Sequence, residues 1–408
     1  MATHVSPAGH QRARLSRKRL VWGGLVVVLV AGGLAALIDR TAFSGGSENP
    51  STLVQQTLDG LVAGPGRVTM GATAYVAGPR GVWTGSAGIA QPGEPMLPNA
   101  RLRLESVGKL WTATLILRLV EEHKLALYDT VSHWLPGLLP YGNQVNVLEL
   151  LSMTSGMVDT NDFQNRPAYY ISRITNPVLR AHLVALARYI KTHPTYQIPT
   201  RLWIQMGAAS PLLYPPGAVW HYSNIGYMIA GMIAQRAGGA VLATLFRRLI
   251  IDPLHLTSAR YDPAPTITGP HAHGYIIFPP WKPQDATAWT GGLAANGGIV
   301  SDAADEAHFL GDVIQGRILK APELQELETD YANNYGLGIW TQQNGCTPGA
   351  QVFSHNGGGG GYMATVQVSP DGRHVGVVLI NGYEASTAAQ NHAETLMIAA
   401  MQRLYCAN

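Results

Sequence analysis

The chain has 408 residues, of which 46% are hydrophobic and 13% charged, a globular composition that excludes a fibrous, repeat or wholly disordered protein. Its net charge of +3 is unevenly spread, because residues 1–19 hold five basic residues and no acidic one. From residue 41 onward, 22 basic residues are balanced by 24 acidic ones. The composition therefore predicts no basic face for nucleic acid.

An uncharged run of 19 residues, 20–38, follows the basic tail. As a helix rising about 1.5 Å per residue, it nearly matches a hydrocarbon core about 30 Å thick. The preceding cations favour a cytoplasmic N-terminus, so we expect a single-pass membrane anchor with the rest of the chain outside the cell. A cleaved signal peptide followed by secretion is the alternative. Residues 39–50 are predicted to be a polar linker.

Residues 51–408 are predicted to form one α+β domain. Patterns typical of β-hairpins occur near both ends of this region, each with a helical pattern outside it, which predicts one antiparallel sheet flanked by helices. This sheet lobe would comprise about 51–125 and 285–408. The intervening residues, about 126–284, are rich in helix formers and predict an inserted, mainly helical lobe, with a site in the cleft between the lobes.

Cys346 and Cys406 are the two cysteines of the chain. A disulfide between them would suit an exported protein and stabilise it by roughly 4 kcal/mol, but two separate buried thiols are almost as consistent with the sequence.

The first candidate for chemistry is the sequence ESVGK, in which Ser106 and Lys109 are three residues apart. If a helix begins at Ser106, both side chains lie on one face, and burial would lower the lysine pKa enough for the amine to activate the hydroxyl. The apolar stretch that follows would supply that burial. By itself the pair is equally consistent with a helix cap and a solvated lysine.

Two further segments carry candidate residues. In HYSN, Tyr222 and Asn224 precede a predicted helix, where Tyr222 would move a proton and Asn224 would orient a substrate amide or Lys109. In FSHNGGGGGYM, His355 precedes five glycines and a predicted strand. A strand edge without side chains allows close approach of a substrate backbone.

In this order, the three segments resemble the Ser-x-x-Lys, Tyr-x-Asn and His-x-Gly motifs of the serine hydrolases of the β-lactamase and penicillin-binding group. They are most similar to the class C branch, with its D-alanyl-D-alanine carboxypeptidases, D-aminopeptidases and esterases. The connecting stretch VLELLSMTSGMVD is also similar, with Met153 at the family's usual histidine. The resemblance covers about residues 50–400 and implies a β-lactamase/transpeptidase-like fold.

The resemblance implies a role for each matching residue. Ser106 would be the acylated nucleophile, Lys109 its activating partner and Tyr222 the general acid and base. Asn224, together with the motif residues His355, Asn356 and Gly357, would bind or orient the substrate, and the backbone N–H groups of Ser106 and Gly358 would form the oxyanion hole. Neither a metal nor an organic cofactor is implied, and the oligomeric state is left open.

Several departures from the family pattern affect the expected substrate. His355 stands where many relatives have lysine, Asn356 replaces a threonine, and Gly359 and Gly360 remove side chains, which predicts a looser acyl pocket. We therefore expect a D-amino-acid peptidase, carboxypeptidase or esterase that acts on small peptides, esters or cell-wall peptides. A β-lactamase proper, a non-catalytic penicillin-binding sensor and a wall acyltransferase are the alternatives.

Overall fold

The computed structural model describes residues 49–63, 67–193, 196–290 and 292–408. The strands, in chain order, are β1 (Gly71–Gly78), β2 (Gly81–Gln91), β3 (Glu94–Pro95), β4 (Leu102–Arg103), β5 (Arg260–Tyr261), β6 (Tyr275–Phe278), β7 (Lys282–Asp285), β8 (Ile299–Ser301), β9 (Trp340–Gln343), β10 (Gln351–Gly359), β11 (Tyr362–Val368), β12 (Val375–Ile380) and β13 (Gly382–Glu384).

The helices are α1 (Pro50–Val62), α2 (Gly108–Glu121), α3 (Val131–Trp134), α4 (Val147–Leu151), α5 (Thr160–Asn165), α6 (Pro167–Ser172), α7 (Pro177–Thr192), α8 (Thr200–Ala208), α9 (Asn224–Gly238), α10 (Leu242–Phe246), α11 (Ala303–Ile314), α12 (Ala321–Glu328) and α13 (Thr387–Ala407). A 3-10 turn, Glu105–Val107, leads into α2, and a π-helical turn, Arg247–Ile251, follows α10.

Both ends of the described chain build one seven-stranded antiparallel sheet, in the order β3-β2-β1-β12-β11-β10-β9. Successive residues of a strand face opposite sides, so β12 contributes Val377 and Leu379 to the core shared with α2 and α11. Val378 and Ile380 pack on the other side, in the core shared with α1 and α13. The predicted sheet formed by both chain ends and flanked by helices is thus confirmed.

The region between the two halves of this sheet contains α3–α10, as the helix-rich composition indicates. The strands β5, β6 and most of β7 also lie within 126–284, so this segment is less purely helical than predicted. They pair in small sheets: β5 joins β4 and β8, and β6 joins β7 and β13. The sequence around β6 is short and apolar, and tertiary pairing with β13 makes it a strand.

The predicted membrane segment, 20–38, lies outside the described residues. Among the described helices none is by itself long and apolar enough to span a bilayer; the bent pair Asn224–Gly238 and Leu242–Ile251 meets that criterion only in combination, and most of its residues are buried. The predicted linker ends slightly too late. Helix α1 begins at Pro50, and the Asn49 side chain accepts a hydrogen bond from the Ser51 N–H, so both residues belong to the helix start.

Cys346 and Cys406 form a disulfide between residues that are 60 apart in sequence. It links the segment between β9 and β10 to the end of α13, so the pairing left open by the sequence is resolved.

Replacing both cysteines by serine is expected to lower the free energy of unfolding by about 4 kcal/mol. The disulfide restricts the conformations of the denatured chain, so its removal increases the entropy gained on unfolding. Urea unfolding of the wild type and of the double variant, each with and without reductant, measures this difference. Reductant should destabilise only the wild type. Equal stability of the oxidised wild type and the variant would contradict the prediction.

Candidate active site

Ser106 lies in the 3-10 turn and Lys109 in the first turn of α2, with the Lys109 Nζ 3.0 Å from the Ser106 Oγ. The α-helix itself begins two residues later than the predicted start at Ser106, because the tighter turn comes first. Residues Lys109 to Leu117 of α2 are all buried, and Lys109 is 0% exposed. Lys109 is therefore part of the core, with the half-buried Ser106 beside it, and the alternative of a solvated lysine on a capped surface helix is wrong.

The Lys109 amine lies within hydrogen-bond distance of three oxygens. Besides the Ser106 Oγ, its Nζ lies 2.8 Å from Asn224 Oδ1 and 2.9 Å from the carbonyl oxygen of Asn296. As an ammonium it donates to all three; once neutral, it can donate its two N–H groups to Asn224 and Asn296 and keep its lone pair for the Ser106 hydroxyl proton. Burial lowers the Lys109 pKa to about 7, although the charges of Asp159 and Glu105 act to raise it. A substantial fraction of the amine is therefore neutral near pH 7.

On the other side of the nucleophile, the Tyr222 hydroxyl donates a hydrogen bond of 2.7 Å to the Ser106 Oγ. Desolvation raises the pKa of this phenol well above its ordinary value, so the phenol keeps its proton. Ser106 thus stands between a group that can accept a proton, Lys109, and one that can donate a proton, Tyr222. This is the geometry that an acid-base-assisted serine nucleophile requires.

Asn224 is held in one orientation by residues that sequence reasoning missed. Its backbone N–H donates to Asp159 Oδ1 at 2.6 Å, and its side-chain Nδ2 donates to Thr160 Oγ1 at 3.1 Å and to Asp159 Oδ2 at 3.4 Å. The amide oxygen consequently points to Lys109, as predicted, while both amide donors face the protein. Asp159 and Asp162 form a capping box at the start of α5. This Asp-x-x-Asp pattern is the sequence feature from which a structural role of Asp159 could have been predicted.

Asn296 is a second residue that sequence reasoning missed, although its surroundings were part of the family resemblance. It is 8% exposed, and its backbone carbonyl is the third partner of Lys109. Its own side chain bonds the N–H of Ala294 at 2.9 Å, which supports the turn that aims this carbonyl. Every residue has a backbone carbonyl, so the residue type at position 296 could not predict this contact with Lys109.

His355 has a different environment from the predicted one. It is 1% exposed, with Nδ1 2.7 Å from the carbonyl oxygen of Asn356 and Nε2 3.5 Å from the Tyr335 hydroxyl. Burial, followed by the nearby Lys109 charge, lowers its pKa to about 3. The imidazole is therefore neutral throughout the physiological range, and the predicted contact with a substrate carboxylate is not supported.

The prediction for Asn356 is wrong. Its side chain donates to Glu394 Oε1 at 3.0 Å and accepts from the Thr365 hydroxyl at 2.8 Å. These partners lie on α13 and β11, on the side of the sheet opposite to His355. The physical reason is the alternation of side chains along β10, which directs adjacent residues to opposite faces.

Gly357 lies where strand β10 contacts the turn that carries Ser106. A Cβ atom there would lie 2.2 Å from the Leu104 carbonyl oxygen and 2.8 Å from the Ser106 nitrogen. At Gly358 a Cβ would meet only the Met363 side chain, at 3.7 Å. The nucleophile turn thus packs directly on β10, which brings the two backbone segments of the predicted oxyanion hole, at Ser106 and Gly358, into contact.

Other atoms of the protein already occupy the space beside the later glycines, and the looser acyl pocket stays a prediction. A Cβ on Gly359 would lie 2.6 Å from Glu105 Oε2, and one on Gly360 would lie 2.7 Å from the Trp289 carbonyl oxygen. Gly360 and Gly361 also have φ values of +50° and +84°, which a two-residue hairpin turn between β10 and β11 requires. The side chains are absent because other atoms occupy their space.

Comparison with known proteins supports the architecture. The family model described as Beta-lactamase matches residues 54–400. A penicillin-binding protein of Bacillus subtilis is 26% identical over 310 residues, covering 71% of this chain and 62% of that protein. Esterase EstB of Burkholderia gladioli is 28% identical over 228 residues, covering 54% of each chain. The chain therefore spans less than two thirds of the length of these relatives.

Two solved structures cover more of the chain. The D-stereospecific amidohydrolase from a Streptomyces species has 26% identity and a TM-score of 0.67, covering 85% of this chain and 98% of that one. The D-amino acid amidase from Ochrobactrum anthropi SV3 has 21% identity and a TM-score of 0.70, covering 88% and 98%. The second likeness shows the fold alone.

The reaction of Ser106 with a fluorophosphonate is expected to accelerate as the pH rises through about 7, because the Lys109 amine must lose its proton before it can accept one from serine. The labelling rate is measured by quenching the reaction at several times and determining the labelled fraction by intact-mass spectrometry. Lys109→Ala should slow labelling by about 100-fold or more, the range of a positioned general base. Lys109→Arg is the matched control, since it keeps the charge but cannot be deprotonated. Wild-type labelling in either variant would contradict the role.

Asp159→Asn is expected to move the rising limb of the same pH profile to lower pH. The Asp159 charge raises the Lys109 pKa, so its removal lets burial lower that pKa further. The absolute labelling rate should also fall, because Asn224 loses an anionic partner that orients it. Asp162→Asn, which alters the neighbouring ion pair with His221, is the control and should leave the limb in place. If the pH profile of labelling has the same rising limb in Asp159→Asn as in the wild type, Asp159 does not influence the Lys109 pKa and the prediction is wrong.

Proposed function

Because this chain belongs to the beta-lactamase family, we propose that it is a serine hydrolase that forms an acyl-enzyme on Ser106. One observation carries the proposal: the Ser106 Oγ lies 3.0 Å from the Lys109 amine and 2.7 Å from the Tyr222 hydroxyl. A non-catalytic sensor would need neither group at hydrogen-bond distance from the serine. The intact centre therefore favours an enzyme over a binding module.

The geometry supports a two-stage reaction. Neutral Lys109 takes the Ser106 proton as Oγ attacks the substrate carbonyl, and the backbone N–H groups of Ser106 and Gly358 stabilise the oxyanion. Tyr222 gives its proton to the leaving group as the carbonyl re-forms, and the Lys109 ammonium then returns a proton to the phenolate. A water molecule next takes the leaving group's place, and the proton transfers run in reverse to release the acid.

We propose that the substrates are amides, short peptides or esters of D-amino acids without a required terminal carboxylate. The neutral, buried His355 supports this choice, because it supplies no cation at the position where a β-lactam or a peptide C-terminus would need one. The similarity to a D-stereospecific amidohydrolase and to an esterase agrees with it. We also propose that the domain acts outside the cell, tethered through residues 20–38, because the basic residues precede the apolar run.

Intact-mass analysis of the chain after treatment with a fluorophosphonate should show one adduct, which Ser106→Ala abolishes. The wild type should then release p-nitroaniline from D-alanine p-nitroanilide faster than it releases D-alanine from D-alanyl-D-alanine. Ser132→Ala, at a half-buried serine of α3, is the matched control and should label normally. Absence of any adduct on the wild type would refute the serine hydrolase proposal, and preferred cleavage of D-alanyl-D-alanine would refute the substrate choice.

A further inference from the structure

Glu105, the residue directly before the nucleophile, is a buried carboxyl group without a partner. It is 6% exposed, and its Oε1 is buried without a hydrogen-bond partner. Within the described part of the chain its side chain forms no ion pair or hydrogen bond. A buried carboxylate ordinarily needs such partners, because transfer from water is costly unless hydrogen bonds or a cation compensate for it.

The backbone around Glu105 is built to hold this side chain in place. Its φ is +52°, a conformation that residues with a Cβ rarely adopt and that persists mainly where the surrounding structure imposes it. A Cβ on Gly297 would lie 3.0 Å from the Glu105 carbonyl carbon, and one on Gly357 would lie 3.1 Å from the Glu105 Cβ. Glycines on two different segments therefore make room for Glu105.

The carboxyl group itself lies against the far half of β10. A Cβ on Gly359 would approach Glu105 Oε2 to 2.6 Å, and one on Gly360 would approach Oε1 to 3.7 Å. Strand β9 pairs with β10 only through Gln351–Ser354, so the following stretch has no strand partner on that side within the described residues. The carboxyl group thus lies against the face of β10 where the strand has no partner beyond Ser354, and it belongs to the residue directly before Ser106.

Within the described residues, neither neighbouring cation, Arg103 or Lys109, forms an ion pair or a hydrogen bond with the Glu105 carboxyl group. The Arg103 guanidinium donates to the carbonyl oxygens of Asp262 and Ala264, at 2.7 Å each. Lys109 has its three partners at Ser106, Asn224 and Asn296. Burial raises the Glu105 pKa to about 7, while Arg103 and Lys109 act to lower it from a distance. Near neutral pH the carboxyl group can therefore ionise, but it lacks a cation in contact.

We propose that Glu105 is the subsite for the protonated amine of the substrate's acyl group, so that the enzyme selects amides and esters of amino acids with a free amine. The inference rests on the proposed function and extends it to the acyl side of the substrate. The α-amine of such a substrate is only two bonds from the carbonyl carbon that Ser106 attacks. Consecutive Cα atoms are about 3.8 Å apart, so a carboxylate on the preceding residue is within side-chain reach of that amine.

The test compares D-alanine p-nitroanilide with N-acetyl-D-alanine p-nitroanilide on wild type and Glu105→Gln, at about pH 7.5, where both the carboxyl group and an α-amine are partly ionised. Wild type should prefer the free amine in kcat/KM by about tenfold or more, the size of one charge-assisted hydrogen bond. Glu105→Gln should lose this preference. Because the Glu105 charge also raises the Lys109 pKa, the variant can change the rate on both substrates, so the test is the ratio of the two kcat/KM values, in which a common change cancels.

The matched control is Glu306→Gln. Glu306 is likewise wholly buried with an unpartnered Oε1, but it lies on α11, where it accepts a hydrogen bond from Trp111. This variant should keep the wild-type preference for the free amine. If Glu105→Gln retains that preference, or if the wild type shows none, the inference is overturned.

A measurement on the wild type alone guards against misfolding of the variant. D-alaninamide should slow fluorophosphonate labelling of Ser106 at a lower concentration than N-acetyl-D-alaninamide does, and equal protection by the two amides would overturn the inference. Labelling also separates the two proposals. If the wild type reacts with the fluorophosphonate but shows no preference for a free amine, only the proposed amine subsite is refuted. If the wild type does not react with the fluorophosphonate, the proposed serine hydrolase is refuted.

Discussion

Lys109 must be buried to lose its proton near neutral pH, and the removal of one amine from water determines the arrangement of the catalytic centre. Burial lowers its pKa to about 7, and two acceptor oxygens, from Asn224 and Asn296, satisfy the two N–H groups of the neutral form. One oxygen comes from the start of α9 and the other from the segment before β8. The amine can therefore act as a base only when both segments are folded against α2.

The dependence of Lys109 on several folded segments also links the helical lobe to the sheet lobe. Asp159 orients Asn224, and its charge partly offsets the effect of burial on the lysine, so the helical lobe both positions the base and adjusts its pKa. The sheet lobe contributes β10, whose Gly357 lets the Ser106 turn pack directly on the strand. Glu105 is part of this junction, since Gly357 also leaves room for its Cβ and Gly359, farther along the same strand, lies against its carboxyl group. The nucleophile, its base and the proposed amine subsite thus depend on one contact between the turn and the strand.

The motif residues show how far sequence reasoning reached. Ser106, Lys109, Tyr222 and Asn224 were chosen by type and order, and the structure brings all four within hydrogen-bond distance of a neighbour in the set. Expectations for β10 failed because a run of letters does not reveal which side of a strand faces the site. Asn356 faces α13, His355 is buried, and the last glycines form the turn between β10 and β11. Asp159, Asn296 and Glu105 were missed because their importance comes from contacts with distant segments.

The sequence by itself indicated the fold class, through hairpin patterns at both ends of the domain and helical patterns between them. It also indicated four candidate residues, Ser106, Lys109, Tyr222 and Asn224, through the resemblance of their motifs, in order, to those of a known family. These features are local or depend only on sequence order, so residue type carries them. Only the tertiary structure decided the Cys346–Cys406 pairing, the lowered pKa values of Lys109 and His355, and the burial of the Glu105 carboxyl group. Each of these depends on which distant atoms exclude water or supply a partner, and burial of that kind is established only when the chain has folded.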